Sequence, residues 1–213
     1  MSSAYQGPAS GADRAVLLAH GAGAGMNALP LVAVADALEV AGIPSLRFEY
    51  PYRAAGRRAP DRPPVLDSAT RAAATELAQR SGVPPERLVL GGRSMGGRFC
   101  SLIAADEGDP APALGLLMLG YPLHPAGKPE RRRDDHFPRV TWPLLFVSGT
   151  RDALAPQAEL TKSAEKIAGP VSFHWLETAD HGYRPLKASG RTLEDVVQEA
   201  ADVSVAWVKS LDT

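Results

Sequence analysis

Three residues stand out for the chemistry they could share: Ser94 within LVLGGRSMGGRF, Asp152 within SGTRD, and His181 within LETADHGY. A serine hydroxyl is a weak nucleophile until a base takes its proton, and a histidine does this best when an acid fixes its tautomer. Gly92-Arg93-Ser94-Met95-Gly96 fits the pattern G-x-S-x-G, in which serine occupies a sharply turned, strained backbone between a strand and a helix. Neighbours two residues away on either side are pressed close to that turn and have no room for side chains. The helix that follows aims free N–H groups and a positive dipole end at developing negative charge.

In this arrangement the acid and then the base follow the serine along the chain. LLFVSG runs into Thr150-Arg151-Asp152, and VSFHWLE runs into Thr178-Ala179-Asp180-His181-Gly182. Both groups therefore fall at C-terminal ends of strands, where open α/β sheets build their sites. The competitors fit less well. His174 alternates within a strand, His124 and His136 precede the acid, and Asp134 and Asp135 sit in a charged loop. Asp180 is adjacent to His181 and could not easily face its ring from within a tight turn.

Acyl transfer also needs donors for an oxyanion. The N–H of Met95 is one expected donor, and the loop AHGAGAGMN (19–27) should supply the other, from Ala22 or else Gly23. Gly21, Gly23, Met26 and Tyr121 are expected at the substrate, with Met95, Tyr50 and Leu123 as further apolar wall. A dinucleotide loop is the competing reading of 21–25, but G-x-G-x-x-G fails because Ala28 stands where the third glycine belongs.

These residues need a scaffold that brings strand ends together. Six short apolar runs alternate with helix-like segments: 15–20, 45–50, 87–92, 114–120, 143–149 and 171–177. That alternation predicts one α/β domain, a mostly parallel sheet of about six strands with helices on both faces. Helices are expected over 27–41, 67–81 with Asp67 as N-cap, 95–106 and 156–168. A last helix should open on Thr192-Leu-Glu-Asp195, a variant capping box, with Leu193, Val196, Val197, Ala200, Val203 and Trp207 on its core face. Residues 50–64 and 121–142 read as irregular, and residues 1–13 as flexible.

Composition narrows the function classes. The 213 residues form one domain's worth of chain, and a net charge of −1 supplies no field that would draw nucleic acid or a membrane surface. Cys100 is the only cysteine, so neither an intrachain disulfide nor a Cys-based zinc site can form, and no metal or cofactor is expected. With no signal-like N-terminus and no apolar run long enough to span a bilayer, the reading is cytoplasmic.

Taken together, LLAHGAGAGMN, GGRSMGGR, GYPLHPAGKPERRRDDH, GTRD and WLETADHGY resemble the α/β-hydrolase superfamily over nearly the whole chain. More narrowly they are similar to a small, lidless group related to a chromatin-complex subunit and a testis-expressed protein. The resemblance implies Ser94, Asp152 and His181 as a triad, with Met95 and the His20-Gly21-Ala22 turn at the oxyanion hole. It also implies a trimmed sheet without the first antiparallel hairpin. The expected activity is hydrolysis of carboxylic esters or thioesters of small acyl groups. The alternative is a catalytically silent binding or scaffold protein on the same fold.

Overall fold

The computed structural model describes residues 2–212. Seven strands form one sheet: β1 (Ser3–Gln6), β2 (Ala15–Ala19), β3 (Ser45–Phe48), β4 (Leu88–Arg93), β5 (Gly115–Leu119), β6 (Leu144–Gly149) and β7 (Val171–Leu176). Six helices join them: α1 (Leu29–Val40), α2 (Pro51–Ala54), α3 (Pro63–Ser81), α4 (Met95–Ala104), α5 (Gln157–Ala164) and α6 (Leu193–Ser210). The strand order is β1-β3-β2-β4-β5-β6-β7. β2 to β7 pair in parallel, and β1 alone runs antiparallel, against β3, with Ser3 opposite Phe48.

Period-two burial explains the layering. Ala15, Leu17 and Ala19 of β2 face one cluster with Leu88 and Leu90 of β4, Met118 of β5 and Phe146 of β6. The intervening Val16, Leu18, Val89, Leu117 and Val147 face the other. The first cluster is closed by α3, α4 and α5, and the second by α1 and α6. Such strands are apolar on both faces because helices cover both. Truncating a fully buried side chain such as Leu17 to alanine costs about 2–5 kcal/mol. The site therefore rests on a rigid floor.

The structure agrees with the expected mostly parallel sheet and refines its details. The sheet has seven strands because Ser3–Gln6 caps the open edge of β3, so the first residues are not wholly flexible and one antiparallel strand is retained. An unpaired edge is a liability, and four polar-flanked residues suffice to close it. The second helix begins at Pro63 and not near Asp67. Pro63 and Pro64 suit its first turn, where no N–H is needed, and Asp67 pairs with Arg71 at 3.0 Å inside the helix. Residues 50–64 also contain the short helix α2.

The capping box at Thr192 forms reciprocally with Asp195. The fully buried face of α6 is Val196, Val197, Ala200, Ala201, Ser204 and Val208, and Leu193, Val203 and Trp207 of the expected stripe pack, partly buried, against the same core. Between β5 and β6 the chain makes loops and one 3-10 turn, Phe137–Arg139. Among the described residues no helix is long and apolar enough to cross a membrane, and no cluster of three or more His, Cys, Asp or Glu is placed to hold a metal ion.

Candidate active site

Ser94 follows the central strand β4 and caps α4 with φ 51° and ψ −114°. That conformation is costly for a residue with a Cβ, about 1–3 kcal/mol, and persists only where its surroundings impose it. Here they do. The Ser94 N–H donates to the Leu119 carbonyl at 3.0 Å, and its own carbonyl accepts from Arg98 N–H at 3.0 Å. A Cβ at Gly92 would run into the carbonyl of Ala19, and one at Gly96 into the carbonyls of Ala19 and His20. The two glycines are thus required by the close approach of β2 to the turn.

The other two residues come from the ends of β6 and β7. Asp152 is 2% exposed, and its Oδ1 accepts the Leu154 amide at 2.8 Å. Its Oδ2 lies 2.7 Å from His181 Nδ1, which donates to it. The His181 ring is thereby held in the tautomer whose Nε2 lone pair faces Ser94 Oγ, at 3.0 Å. Asp180 is engaged elsewhere: its Oδ1 accepts the amides of Gly182 at 2.7 Å and Arg184 at 3.0 Å, closing the turn that presents His181.

His124 bonds through Nδ1 to the Pro125 carbonyl at 3.0 Å, and two further histidines are engaged by side chains. His174 Nε2 meets Glu199 at 2.7 Å, and the buried His136 meets Ser101 at 2.8 Å. Burial first, then the charges of Arg98 and Arg139, pushes His136 down to about 4, so it stays neutral. Cys100 is buried against the Gly91 carbonyl, and desolvation pushes its thiol far up, so it offers no thiolate.

The loop after β2 is tethered more elaborately than its glycines suggest. His20 is fully buried; its Nδ1–H donates to the Gly21 carbonyl at 2.9 Å, and its Nε2 accepts the Tyr50 amide at 3.1 Å. Glu49 Oε2 lies 3.3 Å from that Nε2, but burial lowers the pKa of His20 and the Tyr50 amide needs its lone pair, so the ring is neutral and no ion pair forms. Glu49 Oε1 instead accepts the Met26 amide at 2.9 Å, and Arg47 Nη1 donates to the Met26 carbonyl at 3.0 Å. Sequence reading passed over Glu49 and Arg47. Their signal was charge inside the otherwise apolar run SLRFEY.

A cleft of about 520 Å³ opens over Ser94, Met95, His181 and Ala22. Gly21 is buried beside it, where a Cβ would come 3.4 Å from that of Ser94. Gly23, Met26 and Tyr121 do not line the cleft. Gly23 is exposed, Met26 is held by Glu49 and Arg47, and Tyr121 is buried under the site with its hydroxyl donating to the Arg133 carbonyl at 2.5 Å. Tyr50 and Leu123 are fully buried. The wall consists of Pro60, Pro63, Leu66, Phe99, Pro122 and Leu154 in their place. A larger groove of about 750 Å³ between α1 and α6 contains none of the three predicted residues.

Arg93, inside the serine motif, is buried, and its Nη1 donates to the Leu119 carbonyl at 3.1 Å. Its guanidinium lies over the Tyr183 ring at 4.8 Å, with Nη1 3.5 Å from His181 Nε2. This cation braces the turn after β5 against the base.

Residues 12–209 match the family described as alpha/beta hydrolase domain. The fold is similar to an alpha-beta serine hydrolase homologue from Coxiella burnetii, with a TM-score of 0.73, 17% identity, and coverage of 96% of this chain and 89% of that one. It is also similar to Est1E from Butyrivibrio proteoclasticus, with a TM-score of 0.71, 16% identity and coverage of 98% and 94%. The esterase domain of a Rhodothermus marinus protein gives a TM-score of 0.66 at 20% identity, covering 92% and 86%.

Proposed function

This chain belongs to the alpha/beta hydrolase family, and we propose that it is a serine hydrolase cleaving esters or thioesters of small acyl groups. The observation that carries the reading is the continuous path from Asp152 through His181 to Ser94, at 2.7 and 3.0 Å. In the proposed cycle His181 Nε2 takes the Ser94 proton as Oγ bonds to the substrate carbonyl carbon. The oxyanion that forms is held by the N–H of Met95 and the turn at Ala22. The imidazolium then gives its proton to the departing oxygen or sulfur, leaving an acyl-serine. Water enters, His181 removes a proton from it, and the tetrahedral collapse returns that proton to Ser94 and releases the acid.

Asp152 holds the productive tautomer and stabilises the transient imidazolium without itself being protonated. The strained φ of Ser94 supports an enzyme over a silent scaffold, because a serine that only packs has no use for an imposed 51°. The short segment between β5 and β6, with only loops and one 3-10 turn, favours small substrates, as does the resemblance to a lidless group. We place its work in the cytoplasm. Rapid mixing with a chromogenic short-chain ester tests the acyl-enzyme: a burst of alcohol close to one equivalent per Ser94 is expected, and its loss together with all turnover in the parent would contradict the reading.

A further inference from the structure

The cleft over Ser94 contains two cations and, among the described residues, no carboxylate in its lining. Arg98 comes from α4 and Arg133 from the loop between β5 and β6. Arg98 is one turn beyond Ser94, its N–H bonded to the Ser94 carbonyl, so its Cα lies about 5–6 Å along the helix. Helical side chains lean toward the N-terminus, which tilts Arg98 back over the serine.

Neither guanidinium has an ion-pair partner within 4 Å among the described residues, whereas neighbouring arginines do. Arg132 pairs with Glu159 at 2.6 Å, and Arg139 pairs with Glu107 at 3.3 Å. Asp134, the acid nearest in sequence to Arg133, is claimed by Lys166 at 3.0 Å and Arg132 at 3.8 Å. Arg98 Nε is shielded from solvent and has no hydrogen-bond partner. Arg133 is fixed in place by two backbone bonds, its N–H to the Leu123 carbonyl and its carbonyl to the Tyr121 hydroxyl. Burial, and then the charge of Arg98, depresses the proton affinity of Arg133, so the two cations feel each other.

Solvated rim arginines would splay apart into water. These two instead line one mostly apolar cleft, one of them with a desolvated donor unused. A planar guanidinium fork is matched by a carboxylate or phosphate, which would take up the idle donors and relieve the repulsion. We propose that the cleft selects esters or thioesters bearing a carboxylate or phosphate a few bonds from the scissile carbonyl, docked by Arg98 and Arg133. This rests on the serine-hydrolase reading of the same cleft.

Two matched pairs of ligands test it, each read by calorimetric binding to Ser94→Ala so that turnover is not needed. Methyl hydrogen adipate against methyl hexanoate places a carboxylate on the acyl side. 1-Acetylglycerol 3-phosphate against 1-acetylglycerol places a phosphate on the alcohol side. The anionic member of at least one pair should bind about tenfold to a hundredfold tighter at low salt, and the ratio should shrink as salt rises. Arg98→Met and Arg133→Met, each added to Ser94→Ala, should bring the ratio toward one, and Arg98→Lys should restore part of it.

Equal affinities within both pairs, no binding of either anion at millimolar concentration, or a ratio untouched by both arginine substitutions would overturn the proposal. Fluorophosphonate labelling of the parent reports separately on the serine. Labelling with no anion preference leaves the hydrolase reading standing and removes this one; an anion preference without labelling removes the hydrolase reading and, with it, the claim that the docked anions are substrates.

Discussion

His181 Nδ1 is bonded to Asp152 Oδ2 at 2.7 Å, while the aspartate next to it in the chain, Asp180, accepts two amides of its own turn. Two neighbouring carboxylates thus have separable tasks: one fixes the ring's tautomer, and the other fixes the loop carrying the ring. Asp152→Asn should leave the fold intact and lower kcat by on the order of 10⁴-fold, by favouring the wrong tautomer. Asp180→Asn should lower it far less. Steady-state kinetics and circular dichroism check both, and the reverse ranking would refute the assignment of the acid.

Glu49 positions the loop that carries Ala22, through the Met26 amide. Glu49→Ala frees that loop. An oxyanion donor misplaced by about 1 Å should cost on the order of 10²-fold, mostly in kcat. Kinetics on a short ester checks this, and a change confined to KM would show that the loop binds substrate without serving the oxyanion.

His136 gives the fold a pH dependence of known sign. Its folded pKa, about 4, lies below the unfolded value of 6.5, so the unfolded chain binds the proton first as pH falls. Stability is fully present above pH 6.5 and is lost on the way to pH 4, by on the order of 3 kcal/mol if this histidine alone is counted. His20, also buried and neutral, adds to the loss in the same direction. Urea unfolding across that window should show the decline, and His136→Gln should flatten it. A level profile in the parent would contradict the account.

Acyl length is limited by the cleft. Each methylene buried against Leu66, Phe99 and Leu154 contributes about 0.8 kcal/mol, close to fourfold in kcat/KM, until the wall ends. A rise through the shortest acyl groups and a plateau or fall beyond about six carbons are expected. A continuing rise through long-chain esters would require an apolar tunnel.

The sheet and the placing of Ser94, Asp152 and His181 were legible because each is tied to a strand end, and strand ends follow from short apolar runs. What was not legible depends on where side chains point. Nothing in their sequence surroundings separates Arg98 and Arg133 from the other arginines; only the helix and the loop bring both to the cleft over the serine. Tyr121 reads as cleft wall, yet the sheet buries it beneath. Asp67 resembles a cap only while Pro63 and Pro64 are read as breakers; a proline pair opening a helix looks the same in sequence as one ending a loop. β1 is too short and polar to register without the open edge of β3 to pair with.

The central claim is that Ser94 is a nucleophile activated by His181. Its most direct measurement is reaction with a fluorophosphonate followed by peptide mass mapping. The account predicts a single phosphonyl adduct on Ser94 in the folded parent, none in Ser94→Ala, and an adduct forming orders of magnitude more slowly in His181→Ala. Equal labelling of the parent and Ser94→Ala, or an adduct on another residue, would contradict it.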